Sequence, residues 1–111
     1  MRILELQKGK PNKDGIVKSY TLVHIYRSYY VRATSDEPIQ YELCEVYEKK
    51  GKKDWNTRGW FGKLEQLIKI IKERVVLENW GEDYQVILNK LITINKLIQQ
   101  HDIIKILEEN E

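Results

Sequence analysis

Cysteine is nearly absent from this chain, since Cys44 is the only one among 111 residues. A single thiol excludes an intramolecular disulfide and a metal cage built from thiolates. Because Cys44 lies within an apolar stretch, we expect a small buried side chain. Histidine is also rare, with His24 and His101 far apart in sequence. A metal site would need mostly carboxylate ligands, so we predict that the protein binds no metal and no cofactor.

Sequence motifs of common enzymes are missing as well. The chain contains no G-x-G-x-x-G or P-loop for a nucleotide, and no G-x-S-x-G or H-E-x-x-H for hydrolysis. We expect His24 to be a strand residue whose ring nitrogen is hydrogen-bonded, and His101 to lie near a helix end, where positive charge suits the helix dipole. These absences predict a protein that is not an enzyme.

Long apolar runs are absent too, so no stretch has the character of a signal peptide or a membrane span. We therefore expect a cytoplasmic protein without a membrane segment, folded as a single domain over residues 1–111. The net charge of +2 is too small to indicate a polyanionic partner by itself. Its distribution is uneven, because residues 1–60 hold 12 Lys/Arg against 8 Asp/Glu and residues 61–111 hold 7 against 9.

The spacing of apolar residues along the chain changes near residue 62. Before it, β-branched and aromatic residues form stretches separated by turn residues. These stretches predict strands at residues 3–6, 16–26, 29–34, 39–49 and 54–60. After it, apolar residues recur every three or four positions, as in helices. The predicted fold class is α+β: an antiparallel β-meander of four to five strands with one wet face, followed by two or three helices packed on the other face.

The helices have recognisable boundaries. Gly62 is the expected N-cap of the first helix, which should end near Leu77. Its predicted buried face consists of Leu64, Leu67, Ile68, Ile71 and Val75. A second helix should follow the acidic pair Glu82-Asp83, with an apolar stripe of Tyr84, Ile87, Leu91, Ile94 and Ile98. The period breaks at His101, so residues 103–109 form either a third helix or a bent tail.

A lysine-rich hairpin over residues 49–58 is the most suggestive local feature. Its cations could neutralise phosphates while Trp55 and Trp60 stack on bases, and a loop with Lys8, Lys10 and Lys13 would add charge if it lay at the same end. The alternative is that the lysines keep the turn soluble while both tryptophans lie in the core beneath the helix. The candidate nucleic-acid-binding residues are Lys49, Lys50, Lys52, Lys53 and Arg58.

Tyrosines are concentrated in three neighbouring predicted strands. If several of them share the sheet face away from the helices, they form an amphipathic surface suited to protein contact. The alternative is cross-strand packing, which aromatic pairs also favour. The candidate protein-binding residues are Tyr26, Tyr29, Tyr30, Tyr41 and Tyr47.

The second helix offers another surface, because Val86, Ile92 and Leu97 are apolar and lie outside its main stripe. A helix that is apolar on more than one face is either largely buried or paired with a second copy. A homodimer is therefore an open alternative.

Three segments in this order resemble parts of small uncharacterised proteins that bacteriophages and other mobile elements encode. They are Y-Y-V at residues 29–31, I-Q-Y-E-L at 39–43 and G-W-F-G-K-L-E-Q-L at 59–67. In those proteins a Y-Q-Y or Y-E-L strand, a lysine-rich hairpin and an aromatic lead into an S-L-E-x-A-L helix start recur. The resemblance covers residues 20–77.

The chain departs from that pattern at Gly62, where serine is common, and at Ile68, where alanine is common. The motif contains no catalytic residues. The resemblance implies a non-enzymatic accessory protein that binds a host or phage protein, in some cases to inhibit host defence. The alternative is a small nucleic-acid-binding protein that uses the hairpin over residues 49–58. Both functions stay open at this point.

Overall fold

The computed structural model describes residues 2–34 and 37–99, with side chains up to residue 96. Five strands are followed by two helices in this part of the chain. They are β1 (Ile3–Gln7), β2 (Ser19–Tyr26), β3 (Tyr29–Ala33), β4 (Tyr41–Lys49), β5 (Lys52–Phe61), α1 (Leu64–Glu78) and α2 (Tyr84–Gln99). The predicted third helix over residues 103–109 lies outside the described residues.

All strands form one antiparallel sheet in the order β1-β2-β3-β4-β5, so the predicted α+β meander is confirmed. β2 begins at Ser19 rather than at residue 16. The side chain of Asn12 explains the difference, since its Oδ1 accepts hydrogen bonds from the backbone N–H groups of Asp14 and Ile16. Such side-chain bonds give the backbone an alternative to strand pairing and hold the loop through residue 16.

The predicted buried face of α1 is confirmed. Its members contact one face of the sheet, where they meet Val23, Val31 and Leu43. All five predicted residues are buried: Leu64, Leu67, Ile68, Ile71 and Val75. The predicted N-cap is wrong, because Lys63 occupies that position and no side chain bonds to the first turn. Neither helix of the described chain has the length and apolar character needed to cross a membrane.

The alternating pattern predicted a wet face on the side of the sheet away from the helices, and this is wrong. That face holds a second buried cluster formed by Leu22, Tyr30, Cys44 and Trp55. Tyr20 of β2 and Trp55 of β5 have ring centroids 5.4 Å apart, whereas three strand spacings in a flat sheet amount to about 14 Å. The sheet is therefore curled, and the inside of the curl, here called the concave face, is dry because its own side chains fill it.

Glu42 is the one acidic side chain in the described residues that is buried, with 2% exposure. Its Oε1 accepts hydrogen bonds from the Arg32 guanidinium at 2.7 and 2.8 Å. Its Oε2 accepts from Trp55 Nε1 at 2.9 Å and from the Thr57 hydroxyl. Burial acts to raise the pKa of Glu42, but the bonds from Thr57, Trp55 and Arg32 outweigh it and hold that pKa below the ordinary value.

We expect Glu42→Gln to lower the free energy of unfolding at neutral pH by about 2–4 kcal/mol, because Arg32 loses its buried counter-charge. Since the folded-state pKa of Glu42 is lowered, its stabilisation is fully present above the unfolded-state pKa and is lost as pH falls through the folded-state value. The variant should lack this part of the acid dependence. Urea denaturation followed by tryptophan fluorescence at several pH values measures both effects.

Glu5→Gln is the matched control, since Glu5 is an exposed glutamate on β1. Equal losses for the two variants would contradict the role assigned to Glu42.

Candidate binding surfaces

The five tyrosines predicted to bind a protein do not share one surface. Tyr29 is buried, and Tyr26 and Tyr41 are half-buried, all three against the cluster on the helix side. Tyr30 is buried on the concave face. Tyr47 is exposed near the end of β4. Because neighbouring residues of a strand point to opposite faces, Tyr29 and Tyr30 had to separate. Most of these tyrosines pack against side chains of neighbouring strands.

The two tryptophans of the hairpin region are also separated. Trp55 was expected beneath the helix, but it is buried on the opposite, concave face. Trp60 was expected there too, and it is 49% exposed. Its ring lies 5.5 Å from the guanidinium carbon of Arg32, which also lies 4.9 Å from the ring of Tyr20. Trp60 therefore extends the Glu42–Arg32 network to the protein surface.

The four hairpin lysines lie together at the β4–β5 turn and are exposed. Lys50 and Gly51 form its tip with φ angles of 54° and 77°, and Lys49 pairs with Lys52 across the ladder. Arg58 is not part of this group, because its Nε donates to Glu45 Oε2 at 2.8 Å. We call the four lysines at this tip the lysine turn, and the nucleic-acid role of all five residues stays a prediction.

The loop lysine Lys8 reaches the base of the hairpin because the sheet is curled. Its Nζ lies 3.1 Å from Asp54 Oδ1, donates to the carbonyl of Trp55 at 2.8 Å and lies 4.0 Å from the centroid of the Trp55 ring. The backbone N–H of Trp55 and then Lys8 lower the pKa of Asp54. Lys8 therefore ties the end of β1 to β5, and its charge is already neutralised by a carboxylate.

Large apolar side chains are exposed to water in the turn between α1 and α2 and at the helix ends beside it. Leu77 is 67%, Trp80 80% and Tyr84 74% exposed. We call this group the helical corner. Tyr84 was predicted to belong to the buried stripe of α2, and this is wrong, since it lies in the first turn beyond the reach of the core. Among the other members of the stripe, Ile94 is buried and Ile87 and Leu91 are half-buried, while the side chain of Ile98 lies outside the described residues.

Asn79, which is 2% exposed, connects the helical corner to the rest of the fold through its side chain. Its Nδ2 donates to the hydroxyl of Tyr26 at 3.0 Å and to the carbonyl of Val75 at 2.7 Å, and its Oδ1 accepts from Lys90 Nζ. One side chain thus links α1, α2 and β2. The sequence pattern predicted the end of the first helix near Leu77 and did not single out Asn79, since these contacts join residues far apart in the chain.

The thiol and the imidazole of the described residues are both engaged in the fold. Burial raises the pKa of the Cys44 thiol, so that thiol is a poor nucleophile at neutral pH. His24, as expected, has a hydrogen-bonded ring, with Nε2 2.8 Å from the carbonyl oxygen of Arg27. Within residues 2–34 and 37–99, no three His, Cys, Asp or Glu side chains are grouped closely enough to hold a metal.

Comparison with protein-family models, with curated proteins and with solved structures finds no match for this chain. The resemblance to small phage proteins therefore stays a prediction, as do the absence of catalysis and the homodimer.

Asn79→Ala should lower the free energy of unfolding by about 1–3 kcal/mol, because buried groups lose their hydrogen-bond partner. Tyr26→Phe removes only one of these bonds and should cost about 1 kcal/mol. Chemical denaturation measures both losses. Asn56→Ala, at an exposed position of β5, is the control; an Asn79 variant as stable as this control would show that the corner is not fixed by Asn79.

Proposed function

We propose that this protein is a cytoplasmic, non-enzymatic accessory protein of a phage or mobile element, and that it binds a protein partner through the helical corner. The observation that carries the proposal is the exposure of Trp80 and Tyr84 on a turn that buried hydrogen bonds hold in place. On the resemblance stated above, we extend the proposal to a partner in host defence.

Large apolar side chains that stay in contact with water are unfavourable unless a partner covers them. Tryptophan and tyrosine are the side chains most enriched where protein interfaces gain their binding energy. The hydrogen bonds of Asn79 add to that gain, since a turn that is already held loses less conformational freedom when the partner docks. Trp80 directly precedes Gly81, whose φ of 96° suits a tight turn, and Tyr84 follows three residues later at the start of α2, so one short segment presents both rings.

The charges beside the corner indicate the chemistry of the partner. Glu82 and Asp83 lie between the two exposed rings in sequence, and Asp83 Oδ1 accepts the backbone N–H of Gln85 at the start of α2. An apolar pocket with Lys or Arg at its rim would complement this surface, because unlike charges at an interface rim steer association.

Replacing Trp80 and Tyr84 together by alanine should weaken partner binding by at least about tenfold, as expected for two interface hot spots. Stability should be little changed, because both side chains are already in water. Affinity capture from a lysate of the cells that naturally carry the gene, followed by titration of the recovered protein, measures the effect.

Trp60→Ala is the matched control, since it removes a half-exposed tryptophan elsewhere on the molecule. A partner that binds the wild type, the Trp60 variant and the double variant equally would overturn the assignment of the surface. Recovery of no protein above background would overturn the proposed function.

A second candidate function is nucleic-acid binding, which the lysine turn favours. Four ammonium groups stand at one hairpin tip, and Lys50 occupies a left-handed position where asparagine or glycine is preferred. Phosphate contacts of this kind give an affinity that falls steeply as salt rises.

If the lysine turn binds nucleic acid, replacing its four lysines by glutamine should abolish binding of labelled single-stranded DNA at low salt. The slope of log affinity against log salt should be about −3 for the wild type, given roughly −0.7 per phosphate contact. Fluorescence anisotropy at two salt concentrations measures it. Arg58→Gln is the control, because Arg58 is paired with Glu45; no wild-type binding at low salt would remove this candidate.

A further inference from the structure

A small cavity lies at the end of the sheet where three chain segments meet. The beginning of β1, the β2–β3 turn and the β4–β5 hairpin all reach this end, as the antiparallel register requires. The cavity has a volume of about 220 Å³. Its polar lining consists of Arg2, Arg27, Ser28, Tyr47, Glu48 and Lys53.

The three cations of this cavity come from separate segments, while its lining contains one carboxylate, Glu48, and a second, Glu78, pairs with Arg27 from outside the lining. Arg2 lies with its guanidinium carbon 5.9 Å from the ring centroid of Tyr30, and Arg27 lies 5.5 Å from that of Tyr26. Ring contacts of this type fix a guanidinium without neutralising it. Arg27 also pairs with Glu78 through Nη1 at 3.4 Å, which leaves other N–H groups of the fork to act as donors.

The backbone at Arg27 gives a further reason to assign it a role. Its φ is 49°, a left-handed conformation that favours glycine or asparagine. Among the residues that the structure describes, the non-glycine residues with positive φ are Arg27 and Lys50, both cations at hairpin tips of this same end. A long cationic side chain at such a position costs stability, which is often a sign of a functional constraint.

We propose that the cavity binds a phosphoryl group. The cavity is shallow and open to solvent, with a volume of about 220 Å³, so a phosphoryl group can enter it either free or as part of a larger ligand. Guanidinium groups donate to phosphate oxygens in pairs, an ammonium adds charge, and a serine hydroxyl completes the donor set. The group belongs either to a free phosphate or mononucleotide, or to the backbone of a nucleic acid.

This proposal is independent of protein binding at the helical corner. It deepens the nucleic-acid candidate by placing a phosphate next to the lysine turn, which shares Lys53 with the cavity. The phosphate site can be tested separately from the rest of the lysine turn, since the lysines at positions 49, 50 and 52 are not needed for a phosphate held by Arg2, Arg27 and Lys53.

Titration with inorganic phosphate at low chloride, followed by calorimetry, tests the site directly. Arg27→Asn should weaken binding by about tenfold or more, because it removes charge-assisted hydrogen bonds. Its denaturation midpoint should stay equal or rise, since asparagine tolerates the left-handed conformation. Glu48→Gln should tighten binding roughly threefold to fivefold by removing a like charge. Lys69→Gln, on the exposed side of α1, should change nothing.

A short single-stranded oligonucleotide, titrated in parallel, distinguishes the sources. Saturable binding of inorganic phosphate with these variant effects assigns a free phosphate or mononucleotide, and oligonucleotide binding that Arg27→Asn weakens assigns a nucleic-acid backbone. Absence of saturable binding by either probe would overturn the proposal. So would binding that Arg27→Asn leaves unchanged; if replacing Lys49, Lys50 and Lys52 by glutamine, with Lys53 kept, abolished that binding, the nucleic-acid candidate would survive while the cavity would not.

Discussion

The shape of this protein depends on a buried carboxylate on the concave face of its sheet. Glu42 accepts hydrogen bonds from a strand on either side, from Arg32 on β3 and from Trp55 and Thr57 on β5. These bonds join three neighbouring strands through one side chain and bring the Trp55 ring into the inside of the curl. A buried charge is tolerated only when it is paired and fully hydrogen-bonded, and these partners meet that condition.

Curling has consequences for where the functional surfaces lie. Because the concave face is filled by its own side chains, it offers no open tyrosine surface, and the helices cover the other face. The ends of the sheet therefore remain as the surfaces available for binding. The β2–β3 turn, the lysine turn and the C-terminal end of α1 share one end, as the Arg27–Glu78 and Tyr26–Asn79 contacts show. We therefore place both proposed binding activities at that end of the molecule.

Periodicity predicted the elements well because it reflects burial that is local to each element. The α1 face was predicted in full, since residues three and four apart on a helix must share a side. Tyr84 was mispredicted because period alone does not show where a helix extends beyond the core. Trp55 was assigned to the wrong face, since the bulge in the β4–β5 register at Leu43/Cys44 and the curl of the sheet are not visible in an alternating pattern.

The sequence by itself determined the order of strands and helices, the buried face of α1 and the buried state of Cys44. It also located the lysine turn, because hairpin tips are set by local turn residues. The tertiary structure alone decided that Arg2, Arg27 and Lys53 line one cavity, that Lys8 crosses to Asp54, and that Asn79 fixes the helical corner. These contacts join residues far apart in the chain, and their geometry follows from the sheet's register and curl, which no short stretch of sequence encodes.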